Sequence, residues 1–413
     1  MMILDSLHSF GMSICMVLSL VEGLGYIVGL GKTLGFTSLN MKVTDEEEQK
    51  ELRMSGATTV KDSVQSYFRA MLISGKGNIK APRIIPQSTS FYFSLTFEDF
   101  ATFHENLDAI LQENEGEYEA HLRNVRRVEN FLSTPRKGIN ITLQEHFFSW
   151  IGDEIAVIEV PSKDEAGRLL ASKDQFAVFL KANSISKAKQ NLAILTNQVR
   201  KKTPIKFRDF DYRGHTISSM FMKGFFKMIM GKYFSKIEKP YFTVIEEYVV
   251  FSNHPQTLKT IIDEYEVGLT LAKSEEFRAF FNEFSASSNA FVYTNTPAMR
   301  RSLSGFFDPE TRASMKINRN FIDCFPQVGF QISERNGEFK TDFIARYEHP
   351  AKVHKIEQEF ISHRENLMKN GKEISTLDKL FNAFDDNEAE NQASALGAEL
   401  HSSDMIAIDK IKV

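Results

Sequence analysis

Cysteine is nearly absent: Cys15 and Cys324 are the only two in 413 residues. Two cysteines cannot build a disulfide framework or a Cys-rich zinc site. Such scarcity suits a cytosol and equally a periplasm. Basic excess is also missing, with a net charge of −4 and a pI near 6.2. Nucleic-acid binding normally needs a basic face, so no nucleic-acid partner is expected. Catalytic signatures are lacking as well. There is no His-Glu-x-x-His, no His-x-His and no Gly-x-Ser-x-Gly nucleophile elbow. His349 and His354 are five apart and do not share a helix face. His146 stands near Asp153 and Glu154, where a strand boundary with a polar turn accounts for all three. With 54 acidic residues, carboxylate pairs are too common to signal acid–base chemistry.

Basic residues are missing ahead of the most apolar stretch too. Gly11–Leu30 runs twenty residues with one charge, Glu22, a length that could span a bilayer. Glu22 near its middle would cost about 2–3 kcal/mol there, and the stretch holds four glycines. No Lys or Arg precedes it, as a secretory signal would require. Ile14 stands before Cys15, where a lipoprotein signal wants a small residue. Two expectations stay open for this segment: a membrane anchor, and a buried or partly buried helix. The run Gly25–Thr33 invites a nucleotide reading, but a phosphate loop needs glycine where Tyr26 stands. Its glycines also fit the short-chain dehydrogenase spacing, yet no Tyr-x-x-x-Lys pair exists anywhere in the chain. No nucleotide, metal or other cofactor is expected.

Phe is abundant, 36 against 11 Tyr and one Trp, so phenyl rings are expected to fill most of the core. One local pattern recurs: an apolar strand, a polar cap, then a helix. Phe91–Phe97 leads to a helix over 98–111, and Phe176–Ala182 leads through Asn183 and Ser184 to one over 184–199. Asn and Ser oxygens there would accept the free amide hydrogens of the first turn. Val249–Pro255 and Phe291–Pro297 repeat the pattern with proline opening the helix, over 256–265 and 299–303. A fifth, weaker copy puts strand over 155–160 and helix over 163–171.

Hairpins lie between these units. Gln331–Phe343 alternates on both sides of Asn336-Gly337, a pair suited to a type I′ turn. Lys206–Tyr212 and Thr216–Met220 read the same way around Arg213-Gly214, as do Met41–Thr44 and Leu52–Met54 around an acidic loop. Asp45–Gln49 and Glu113–Glu119 read as solvated loops or helix ends. The expected fold class is α+β: an antiparallel or mixed sheet through most of 82–347, with helices largely on one face. Three regions follow: 1–40, apolar and Gly-rich; 41–348, the α+β region, with room for two subdomains; and 349–413, a charged helix over 351–369 and a flexible acidic tail. In the tail, Ser375–Phe384 reads as a short amphipathic helix and Met405–Val413 as a strand.

Met220–Phe242 is the most distinctive stretch. Lys223, Lys227, Lys232, Lys236 and Lys239 punctuate Phe, Met, Ile and Tyr residues. The first two are four apart, as are Lys232 and Lys236, so on a helix each pair shares a face. These five are the candidate contacts to an anionic membrane surface or a partner helix. The competing expectation is a core helix with one lysine-lined edge.

Four blocks resemble the bacterial family called domain of unknown function 3352, in its longer Bacteroidota-type form: 83–90 (RIIPQSTS), 150–154 (WIGDE), 231–259 and 324–331 (CFPQVGFQ). The likeness covers roughly Met54–Tyr347. It implies no agreed activity and no catalytic residues. It also implies an N-terminal membrane helix ahead of a soluble part, with this chain matching the second half of the longer form. The expected function is therefore a non-enzymatic, cell-envelope-associated binding or structural protein, membrane-anchored or periplasmic. Its partner would be a membrane surface or another envelope protein. The alternative is a soluble, hydrolase-like enzyme whose site is assembled from scattered residues; a third reading is a structural fragment that needs its missing half.

Overall fold

Phe176–Ala182 and Tyr248–Ser252 are apolar at odd and even positions alike, which is the pattern of strands buried on both faces. The computed structural model describes residues 34–45, 50–60, 69–70, 73–113, 115–203, 209–220, 222, 224–226, 237–302, 313, 317, 322–335 and 338–370. The strands are β1 (Leu34–Asp45), β2 (Lys50–Val60), β3 (Gly77–Asn78), β4 (Phe91–Thr96), β5 (Ile151–Glu159), β6 (Phe176–Ala182), β7 (Phe210–Tyr212), β8 (His215–Ser219), β9 (Tyr241–Ile245), β10 (Tyr248–Ser252), β11 (Ser287–Ser288), β12 (Ala290–Asn295), β13 (Gln327–Arg335) and β14 (Glu338–Tyr347). The helices are α1 (Phe100–Gln112), α2 (Glu115–Leu132), α3 (Leu143–His146), α4 (Ile185–Lys202), α5 (Pro255–Glu266), α6 (Glu275–Phe281), α7 (Thr296–Ser302) and α8, which starts at residue 350. The chain divides into two compact units, Met1–Ile361 and Ser362–Val413. The second is described only over 362–370, which is helical.

Twelve strands form one sheet in the order β1-β2-β14-β13-β12-β4-β5-β6-β10-β9-β8-β7, and every neighbouring pair is antiparallel. The sheet is the expected α+β one. Successive side chains alternate between its faces. Phe176, Val178 and Leu180 join the cluster under α1, α2, α3 and α4. Ala177 and Phe179 join the cluster under α5 and α6. Helices α1, α2, α3 and α4 thus share one face, and α5 and α6 cover the other.

The hairpins form in register. Arg335 pairs with Glu338 across Asn336-Gly337, Tyr212 with His215 across Arg213-Gly214, and Met41 with Met54. Arg213 and Gly214 both have positive φ, as a type I′ turn requires. Caps start the helices. Asp99 accepts from Thr102 N at 2.8 Å, Ser184 from Lys187 N at 3.3 Å, His254 Nδ1 from Gln256 N at 3.2 Å and Asn295 from Ala298 N at 3.1 Å.

One expectation fails. Residues 163–171 are not helical: Lys163 bridges Leu169, and the Asp164 carboxylate accepts from Ala166 N and Arg168 N, folding a turn closed by Gly167 at φ +78°. This is the local side-chain competition that keeps Asp out of helix interiors. The stretch Glu113–Glu119 holds two helix ends, as expected: the C-cap of α1 at Glu113 and the start of α2 at Glu115. The apolar or aromatic residues of α2 recur at 118, 122, 125, 128 and 132, a helical spacing, among many charges.

Among the described residues, no helix is long and apolar enough to cross a membrane. Gly11–Leu30 and the tail from 371 onward, with its expected short helix and strand, lie outside the described residues.

Candidate functional site

Gly152 marks a break in the β5–β6 ladder. Ile151 pairs with Ala182 and Ile155 with Leu180, so β5 advances four residues against two on β6. Such bulges re-aim side chains, often beside functional sites. A Cβ on Gly152 would sit 3.3 Å from both Asn183 N and Lys181 O, tighter than most contacts allow. The bulge sends Asp153 and Glu154 to different surroundings.

Glu154 is fully buried. Its carboxylate accepts from Lys80 N at 2.9 Å, Ala81 N at 3.0 Å, Ser94 Oγ at 2.9 Å and Tyr248 OH at 2.6 Å. Burial pushes it above the ordinary carboxylate range, against donors that pull it down. Burial and then the Glu154 charge push the Tyr248 phenol far up. Two more buried glutamates hold the following segment. Glu264 accepts from Ser88 N at 3.1 Å and Ser88 Oγ at 2.6 Å, and Glu159 accepts from Ser90 Oγ at 2.9 Å. Glu154 and Glu159 of β5 thus clamp residues 80–90 onto the sheet, and Glu264 ties them to α5.

Asp153 faces the rim, where Lys181 Nζ donates to it and Lys80 Nζ lies 3.5 Å away. Partial burial raises the Asp153 carboxyl, but the Lys181 hydrogen bond and charge, then Lys80, outweigh that and hold it below the usual range. Arg83 pairs with Glu247 on the same rim. Beside Asp153 opens a cleft of about 350 Å³, where β4 and β6 end and β5 begins. Its lining includes Phe100, His104, Phe148, Asp153, Lys181 and Asn183, with the exposed Glu98 and Asp99. The size suits a small ligand.

The polar groups here are already committed. Ser149 Oγ donates to the Glu145 carbonyl, and Asn183 Nδ2 to the Ser149 carbonyl at 3.3 Å. His104 Nδ1 faces Asp108 at 3.7 Å and its ring lies 4.8 Å from that of Phe148. Among the described residues no serine–histidine relay joins these groups. Among the described residues no group of three His, Cys, Asp or Glu could hold a metal ion.

A family model described as a protein of unknown function (DUF3352) matches residues 65–323, more than half of the chain. The chain belongs to this family. Neither a curated protein nor a solved structure matches it. Membership in DUF3352 carries no activity, and the geometry assigns architectural work to the blocks quoted for the resemblance. Residues 83–90 lie within the clamped segment, and 150–154 supply the bulge and Glu154. In 231–259, Tyr248 binds Glu154, Asn253 accepts from Glu238 N at 2.7 Å, and His254 caps α5. In 324–331, Gly329 lets two rings approach: a Cβ there would stand 2.6 Å from Phe284 Cζ and 2.8 Å from Phe280 Cε1. Gln331 bonds both backbone polar groups of Ser285.

Of the five candidate lysines, Lys223, Lys227, Lys232 and Lys236 lie outside the described residues. Lys239 is exposed, and its backbone N–H donates to Asn253 Oδ1 at 3.2 Å. Phe225 and Phe226 of the same stretch are fully buried, 5.0 Å from the Phe147 ring and 4.9 Å from the Phe251 ring respectively. Of the cleft residues, the sequence drew attention to Asp153 and read it as part of a polar turn; Glu98, Asp99, His104 and Lys181 gave no sign of a site. The cleft's one local signal is a glycine and two acids, Gly152-Asp153-Glu154, opening an otherwise apolar strand.

Proposed function

We propose that the protein is a non-catalytic binding protein of the cell envelope, and that the cleft beside the β5 bulge receives a ligand through a small cationic group such as a primary amine. The supporting observation is the charge of the cleft. Glu98, Asp99 and Asp153 line it with Lys181, and Lys80 lies beside Asp153, so three carboxylates stand against two lysines; the Phe100 and Phe148 rings line it as well. The envelope half of the reading rests on the apolar stretch Gly11–Leu30.

A thermal-shift series with spermidine, agmatine and choline tests the ligand class. A melting temperature that rises with concentration is expected, since a ligand bound only by the folded state stabilises it by mass action. Glu98 is exposed, so Glu98→Gln should weaken the effect about tenfold without unfolding the chain. No shift with any amine, or an equal shift in the variant, ends the ligand reading. Recovery of the native protein wholly in the soluble cytosolic fraction ends the envelope reading.

A further inference from the structure

The outer surface of α2 and the end of α4 carry a cluster of cations around an exposed ring. Arg123, Arg126 and Arg127 are exposed and fall at i, i+3 and i+4, on one face. Phe131, four residues beyond Arg127, is 37% exposed. One turn later Arg136 and Lys137 are exposed as well. At the end of α4, Lys202 Nζ donates to the carbonyls of Phe131 at 2.6 Å and Ser133 at 2.5 Å, and lies 5.9 Å from the centroid of the Phe131 ring. Exposed Lys201 is beside it. Two helix ends therefore meet in one corner.

Simple accounts of these charges fall short. No basic residue lies in the last turn of α2, so its arginines do not serve to offset the helix dipole. Arg123 has Glu119 at 4.0 Å. Arg126, Arg127, Arg136, Lys137 and Lys201 have no acidic partner among the described residues. The chain as a whole is acidic, at −4, so the positive field belongs to this corner and not to the molecule.

We infer that this corner docks on an anionic lipid surface, with the cations against headgroups and the Phe131 ring entering the headgroup–acyl boundary. Cations attract headgroup phosphates, and an exposed phenyl ring among them has an apolar layer to enter only at a membrane. A soluble polyanion satisfies the cations and leaves the ring in water. The inference is independent of the cleft and its ligand. It shares with the envelope reading only a location beside a membrane, and vesicle binding of purified protein is measured without reference to location.

The test is co-sedimentation of the full chain with vesicles of phosphatidylcholine alone and of phosphatidylcholine with phosphatidylglycerol. The quantity read is the increment in binding on anionic over neutral vesicles, so any insertion common to both cancels. An increment of about tenfold or more is expected. It should vanish toward 1 M salt, where the screening length falls from about 10 Å to about 3 Å. The combined Arg126→Gln, Arg127→Gln, Arg136→Gln and Lys137→Gln variant should lose it. Phe131→Ser should weaken binding severalfold while keeping the salt dependence. An unchanged increment in the four-Gln variant overturns the inference. So does loss of the increment only when Lys223, Lys227, Lys232 and Lys236 are changed to Gln. Binding to soluble polyphosphate as tight as to anionic vesicles, and indifferent to Phe131→Ser, would assign the corner to a polyanion instead.

Discussion

A carboxylate taken out of water without a cation survives only where donors surround it, and Glu154 has two backbone N–H groups, a serine hydroxyl and a phenol. Glu154→Gln would turn an NH2 group toward those donors. It should cost about 3 kcal/mol of stability, read as a lower urea midpoint with an unchanged slope. An isostere that folds as tightly as wild type would refute this account of the clamp. Its neighbour Asp153 supplies a pH test. The folded value of Asp153 lies below its ordinary 3.8, held there by Lys181 and Lys80 against burial. Its contribution is therefore complete above that ordinary value and is lost as pH falls below it. Glu154 runs the other way: its folded value is raised above 4.5 by burial, so as pH falls through it this carboxyl alone favours the folded chain. Asp153→Asn should thus lose less stability than wild type as pH falls below about 4, followed by thermal denaturation. Parallel pH profiles would remove the Asp153–Lys181 pair as the cause.

Elements show where local chemistry prevails and where packing does. Gly329 sits in β13 beneath the rings of α6 and the turn after it, and Gly329→Ala would press a methyl into Phe284 and Phe280. A cost of about 1–3 kcal/mol is expected, and full stability would show that the rings move aside freely. In the basic stretch, Phe225→Ala or Phe226→Ala should cost about 3–5 kcal/mol, since both rings are buried against Phe147 and Phe251. If Lys223, Lys227, Lys232 and Lys236 stand in water, changing them to Gln should leave the unfolding midpoint almost unaltered, because solvated charges contribute little to folding. A large loss in the lysine variant would place those charges in the folded interior. The hairpins were legible because their turn pairs name the turn type. Helix α2 was not, because charges between Tyr118, Leu122, Val125, Val128 and Leu132 masked its spacing. The 163–171 segment failed for the opposite reason: Asp164 and Gly167 outweighed its resemblance to the other strand–helix units.

At the scale of the molecule, twelve antiparallel strands form one sheet whose central strands are buried on both faces, and cooperativity should be greatest at its middle. Amide exchange should be slowest in β4, β12, β5, β6 and β10, which are flanked on both sides and buried, and faster in β7 at the sheet edge. Equal protection across the sheet would mean that a further element covers that edge. The chemistry of single turns and caps lay open in the sequence, because each depends on hydrogen bonds spanning two to four residues, as at Asp99, Ser184, Asn295 and Arg213-Gly214. Tertiary structure alone decided that β12 lies between β4 and β13, that a bulge opens a cleft at Gly152, and that Glu154 is buried. The reason is distance along the chain. The donors that make Glu154 tolerable come from 60, 74 and 94 residues away, at Ser94, Lys80 and Tyr248, and no local pattern records such a meeting.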